Sequence, residues 1–142
     1  MTDEQIRLVR VTWLQAAPIA QVVARFFYGR LFELDPEIRR LFGYTDLVAE
    51  RREFLLRVTV CVGALDRVET IRSALEGLAR RNVKYGVVDR HYAVAESALL
   101  WTMEQALGEA YTAEVHVAWS AACRALTTIM REAARTTAHR AA

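Results

Sequence analysis

Leu78-Ala79-Arg80-Arg81-Asn82-Val83-Lys84-Tyr85-Gly86-Val87, followed by Asp89-Arg90-His91-Tyr92, is the stretch on which the fold of this chain turns. It ends a segment whose apolar residues Ile71, Leu75 and Leu78 recur at i, i+4 and i+7, the spacing of one helical face. The next position on that stripe, i+11, is Asn82, so a polar amide is expected where the core would continue. Lys84-Tyr85-Gly86 then breaks the helix, glycine being the residue that most easily takes a helix-ending conformation.

The same periodicity runs outward in both directions. Thr2 with Gln5 forms a capping box, and Ile6, Val9, Trp13 and Leu14 place a first helix up to about Ala17. Pro18 suits the first turn of a second helix, with Val22, Val23, Phe26, Phe27, Leu31 and Phe32 as its apolar face. Asp35-Pro36-Glu37 reads as a cap followed by proline at the first helical position, giving a short helix that ends near Phe42-Gly43. Phe54, Val58, Cys61 and Leu65 describe a long helix from about Leu47 to Asp66, and the segment carrying Asn82 covers roughly Val68 to Asn82. Asp89 is expected to cap a helix that Gly108 closes. Thr112 starts a last one, with Val115, Ala118, Trp119, Ala122, Leu126, Ile129 and Met130 buried. Nothing alternates with period two, and two prolines and six glycines leave little material for many strands and turns. The spacing predicts an all-α domain with short connections, either an antiparallel bundle or a globin.

Composition narrows the function. A chain of 142 residues with 54% hydrophobic and 25% charged residues is one globular domain with a sizeable core. A net charge of +2, with basic residues interleaved among acidic ones, argues against a nucleic-acid footprint. The polar start lacks a secretory signal and no apolar segment is long enough for a bilayer, so the cytoplasm is the expected compartment, with no membrane partner. Cys61 and Cys123 lie far apart and form neither a zinc motif nor a disulfide framework. Both read as small core residues.

Particular residues separate a bundle from a globin. Phe26-Phe27-Tyr28-Gly29-Arg30-Leu31-Phe32, Asp35-Pro36-Glu37-Ile38-Arg39-Arg40-Leu41-Phe42, Val62-Gly63-Ala64-Leu65-Asp66, His91-Tyr92 and Ala98-Leu99-Leu100-Trp101-Thr102-Met103-Glu104 occur in an order that resembles the bacterial single-domain globins and the globin domain of flavohemoglobins. The resemblance implies a globin fold of about six to eight helices around a heme-type pocket. It places the globin domain at residues 1–138 and a C-terminal tail at 139–142. The implied cofactor is heme b, and the implied ligand a small gas, O2 or NO.

The resemblance also implies roles. In that family the phenylalanine at Phe42 packs flat on the heme, and the tyrosine at Tyr28 hydrogen-bonds the bound gas. Phe54 and Leu99 line the pocket, and the residue matching Tyr92 lies beneath the heme and helps orient the proximal histidine. That histidine is replaced here by Asn82, whose amide is a poor donor to iron that usually takes an imidazole nitrogen. Glu50 stands where the family commonly has glutamine or histidine, and an ionised carboxylate can only accept a hydrogen bond. It either pairs with Arg51 or Arg52 at the pocket mouth, or lies beside Tyr28 and hydrogen-bonds a ligand or offers an oxygen to ferric iron. His91 reads either as a partly buried corner histidine or as a substitute ligand. His116 and His139 are expected at the surface, and the metal ligand is left open among Glu50, Tyr28 and His91.

Two functional classes follow. One is a heme-binding globin with atypical or lost proximal ligation. The other is a heme-free globin fold serving as a sensor or protein-interaction module, its cavity filled or holding an apolar ligand. A nitric oxide dioxygenase would need a separate reductase, because these 142 residues hold no room for a flavin domain. The compatible partners are that reductase, a signalling protein, or a second copy in a homodimer.

Overall fold

The computed structural model describes the backbone of residues 1–43 and 45–141, and side chains as far as residue 137 within that range. His139 and the tail expected at 139–142 lie outside the residues whose side chains are described. Seven α-helices are found among the described residues: α1 (Asp3–Ala16), α2 (Ala20–Leu34), α3 (Pro36–Phe42), α4 (Leu47–Gly63), α5 (Arg72–Lys84), α6 (Asp89–Leu107) and α7 (Ala113–Ala141). Short 3-10 turns at Ala17–Ile19, Val68–Ile71 and Gly108–Ala110 join some of them, and no strand occurs among the described residues.

Local chemistry sets the ends. Gln5 N–H donates to Thr2 Oγ1 at 3.0 Å while Thr2 N–H donates to Gln5 Oε1 at 2.9 Å, completing the capping box of α1. Asp35 accepts from Glu37 N–H at 3.0 Å, and Pro36 follows as the first residue of α3. α4 ends at Gly63 rather than near Asp66, because Arg10 from α1 donates to the carbonyls of Val62 at 3.2 Å and Gly63 at 2.9 Å and to Asp66 at 2.8 Å. These carbonyls lack partners inside the helix, so an arginine there satisfies them. The helix expected from Val68 begins as a 3-10 turn and becomes α-helical only at Arg72. α6 is capped at Val88, not at Asp89, whose carboxylate instead pairs with Arg131 of α7 at 3.1 Å.

The break after α5 needs its glycine. Val87 N–H donates to the Asn82 carbonyl at 3.0 Å and Gly86 N–H to that of Val83 at 3.1 Å, the paired bonds of a Schellman ending. Gly86 has φ +94°, and a Cβ there would meet Leu41 Cδ2 of α3 at 3.1 Å. Backbone conformation and close approach both exclude a larger residue.

Packing places α7 against α1, α5 and α6, and α2 across α6. One apolar cluster joins Ile6, Val9 and Trp13 of α1 to Met103 of α6 and Trp119 of α7. Trp119 Nε1–H donates to Thr12 Oγ1 at 2.8 Å inside it, so the indole is buried without an unmet donor. A second cluster gathers Tyr28, Leu31, Ile38, Phe54 and Ala98. α2 and α6 approach closely where Ala24 and Ala98 are both fully buried. α4 and α5 are not principal neighbours, which leaves a cleft between them.

Candidate functional site

α2, α3 and α4 bring an aromatic group together on one side of that cleft. Tyr28 meets Phe42 edge-on at 5.6 Å and Phe54 edge-on at 5.7 Å, while Phe27 stacks on Phe54 at 4.2 Å between centroids. Phe42 thus packs on Tyr28 and Phe32 rather than standing alone. Within this group the Tyr28 hydroxyl donates to Glu50 Oε1 at 3.3 Å, and Arg57 Nη1 donates to the same oxygen at 3.4 Å. Burial, and then the charge and hydrogen bond of Glu50, push the Tyr28 hydroxyl far above the usual phenol range. Glu50 therefore lies beside Tyr28, and its basic partner is Arg57 in place of the expected Arg51 or Arg52. Seven residues along a helix return to the same face after two turns, which brings Arg57 within reach of Glu50.

A cavity of about 280 Å³ lies next to this group. Its walls are apolar, formed by Val58 and Cys61 of α4, Leu75 and Leu78 of α5, Leu99 of α6 and Trp119 and Cys123 of α7. Val58 and Leu99 also pack against the Tyr28 cluster, so the two regions share a wall. Arg57 and Arg81 supply the charge at its lining. Burial raises both thiols, Cys123 to about 12, so neither is a ready thiolate. No histidine lines the cavity among the described residues, and none of them form a cluster of three or more His, Cys, Asp or Glu suited to a metal.

On the α5 side, Asn82 is half-buried and neighbours the Tyr92 hydroxyl. Burial raises the Tyr92 hydroxyl, an effect Asn82 opposes, yet the buried hydroxyl has no partner at hydrogen-bonding distance. His91 is 4% exposed and faces α3. Its Nδ1 accepts from Val88 N–H at 2.9 Å, and Nε2 lies 3.8 Å from Asp35 and 3.7 Å from Glu37. Nδ1 is thus engaged by the start of α6, while the buried Nε2 faces the carboxylates of Asp35 and Glu37 without reaching hydrogen-bond distance. His116 is exposed and bonds the Tyr111 hydroxyl at 2.8 Å.

Tyr28, Phe42, Glu50 and Phe54 are thus gathered at one place, Leu99 at the cavity, and Asn82 and Tyr92 at another, with His91 turned to α3. Arg57, Arg81 and the cavity-facing Trp119 did not stand out in the sequence. The signal for Arg57 was its i+7 spacing from Glu50, hidden among other charges on the same helix. The cavity has apolar walls with two guanidinium groups among its lining, and α5 carries no histidine.

Comparison with known proteins agrees with the helix order. A family model described as Globin matches residues 25–130. A neuroglobin of Tetraodon nigroviridis is 30% identical over 132 residues, covering 84% of this chain and 83% of that protein. A flavohemoprotein of Vibrio cholerae is 26% identical over 124 residues, 86% of this chain but only 32% of that protein, so the chain spans about a third of that relative's length. Among solved structures, a bacterial globin from Campylobacter jejuni superposes with a TM-score of 0.84 at 18% identity, over 95% of this chain and 97% of that one. A hexacoordinated heme protein from an anhydrobiotic tardigrade superposes at 0.80 and 17% identity, over 95% and 96%. With the family model covering most of the chain and a relative 30% identical over most of both lengths, this chain belongs to the globin family.

Proposed function

We propose that this globin binds heme in the cleft between α4 and α5 and holds a small gas, O2 or NO, on the side of Tyr28 and Glu50, with no axial imidazole from α5. The observation that carries this reading is the Tyr28–Glu50 contact, set among Phe42 and Phe54 and sharing a wall with an apolar cavity. Relatives named as a flavohemoprotein and a heme protein support it. Heme supplies an iron centre at which such gases coordinate.

Each residue has a defined task. Phe42, Phe54 and Leu99 exclude water, Arg57 holds the Glu50 carboxylate, and Glu50 holds the single Tyr28 hydroxyl proton. Tyr92 and Asn82 bound the other side without supplying a strong donor. The cavity's 280 Å³ lies just under the range of about 300–1,000 Å³ typical of ligand sites, so the cleft has to open further for a whole tetrapyrrole.

A second reading, a heme-free sensor or interaction module, is favoured by one observation: no histidine lines the cavity among the described residues. Reconstitution with hemin decides between them. A stoichiometric Soret band sinks the heme-free reading, and its absence sinks the heme reading.

A further inference from the structure

At the start of α6, the Nε2 atom of His91 is buried with no hydrogen-bond partner among the described residues. Nδ1 of the same ring accepts from Val88 N–H at 2.9 Å, so it carries a lone pair and the neutral ring keeps its one proton on Nε2. That Nε2–H lies 3.8 Å from Asp35 Oδ2 and 3.7 Å from Glu37 Oε1, just beyond hydrogen-bonding reach.

Both carboxylates are shared with Arg90, which pairs with Asp35 Oδ2 and, at 2.6 Å, with Glu37 Oε2. Two carboxylates against one guanidinium leave one negative charge unbalanced within this group. The other charges at this end of α6, Asp89 and Arg131 of α7, hold each other at 3.1 Å. A second proton on the His91 ring can enter only at Nδ1, where it meets the Val88 N–H donor to donor. Proton uptake therefore exchanges one contact for another: the cap on Val88 is lost, and a positive charge facing α3 is gained. Glu37, whose side chain is 50% exposed, connects the buried ring to solvent.

α3 is short, and Asp35 caps its start. Its last residue is Phe42, which meets Tyr28 edge-on at 5.6 Å. A pull on Asp35 and Glu37 thus acts on a helix that carries Phe42 at its other end. We propose that His91 is a proton-operated latch between α6 and α3: the neutral ring caps α6 at Val88, and the imidazolium releases Val88 and pairs with Asp35 and Glu37, holding α3 and its Phe42 in place. The latch does not depend on what occupies the α4–α5 cleft.

NMR on the full 15N-labelled chain between pH 8 and pH 5 follows both halves of the exchange. An imidazole ordinarily changes charge in that range, while carboxylates ordinarily stay ionised above about pH 5. The His91 ring nitrogens are expected to show a proton on Nε2 alone at pH 8 and on both nitrogens at pH 5. Over the same interval the hydrogen-exchange protection factor of the Val88 amide is expected to fall by about three- to tenfold, the loss of one hydrogen bond. Those of Arg40, Leu41 and Phe42 in α3 are expected to rise by about twofold or more. His91→Gln puts an acceptor with no charge to gain at the position where glutamine closes a capping box, and its protection factors are expected to stay within about twofold from pH 8 to pH 5. In the parent, a ring that stays neutral at pH 5, a Val88 amide equally protected at both ends of the range, or α3 amides that gain no protection overturns the proposal. The same pH response in His91→Gln overturns it as well.

Discussion

The Tyr28 hydroxyl on α2 donates its one proton to Glu50 Oε1 on α4 across 3.3 Å, in a group where Tyr28 is 6% exposed. Burial is the largest cause of its raised pKa, followed by the Glu50 charge and hydrogen bond. Replacing Glu50 with Gln removes the charge and keeps the size. Tyr28 is then expected to ionise at lower pH than in the parent, though still above the usual value of about 10 because burial persists. Tyrosinate absorbance during an alkaline titration measures this. Because the folded pKa is raised, stability falls as pH rises above about 10, and the variant is expected to lose less of it. Identical titrations would show that Glu50 does not act on Tyr28.

Asp35 governs the acid side. Burial opposes its ionisation, but the Arg90 hydrogen bond, the Glu37 N–H and the charges of Arg90 and His91 outweigh it and hold the carboxyl below its ordinary range. A lowered folded pKa contributes stability above about pH 4 that disappears as pH falls through the folded value. Asp35→Asn is expected to flatten the acid limb of stability measured by urea unfolding between about pH 5 and pH 2. An acid limb as steep as the parent's would assign that sensitivity elsewhere.

The buried Trp119–Thr12 bond at 2.8 Å ties α7 to α1. Thr12→Val keeps the shape and leaves the indole N–H without a partner, at an expected cost of about 1–3 kcal/mol. Urea unfolding followed by tryptophan fluorescence reads it directly. A change within about 0.5 kcal/mol would mean that the N–H finds another acceptor.

Asn82→His supplies the imidazole that α5 lacks. If the Leu78 stripe directs position 82 into the cleft, hemin affinity rises by at least about tenfold. Competition for hemin with a second heme-binding protein measures the change. No gain would mean that position 82 does not face the bound group.

Much of this molecule was legible beforehand, and the gaps have physical causes. Helix order followed from apolar spacing, and Thr2–Gln5 and Asp35–Pro36 marked two starts correctly because those caps are local in sequence. The end of α4 was misread because Arg10, far away in the chain, caps it. Val88 displaced Asp89 as the α6 cap because His91 Nδ1 takes the Val88 N–H and Arg131 takes the Asp89 carboxylate. The resemblance pointed to Tyr28, Phe42 and Phe54, and the structure packs these three rings together. The Arg57 partner of Glu50 was not readable, since a helix with several arginines does not announce which one turns inward. The pairing of Arg81 with that cavity depends on how α5 sits against α7, which no local pattern encodes.

The most direct test of the central claim is a hemin titration of the parent chain and of Asn82→Ala, followed at the Soret band. Both proteins are expected to saturate at about one equivalent with Kd values within about twofold, because α5 supplies no axial donor for the substitution to remove. Absence of a saturable band in the parent, or its loss in Asn82→Ala, would contradict the account.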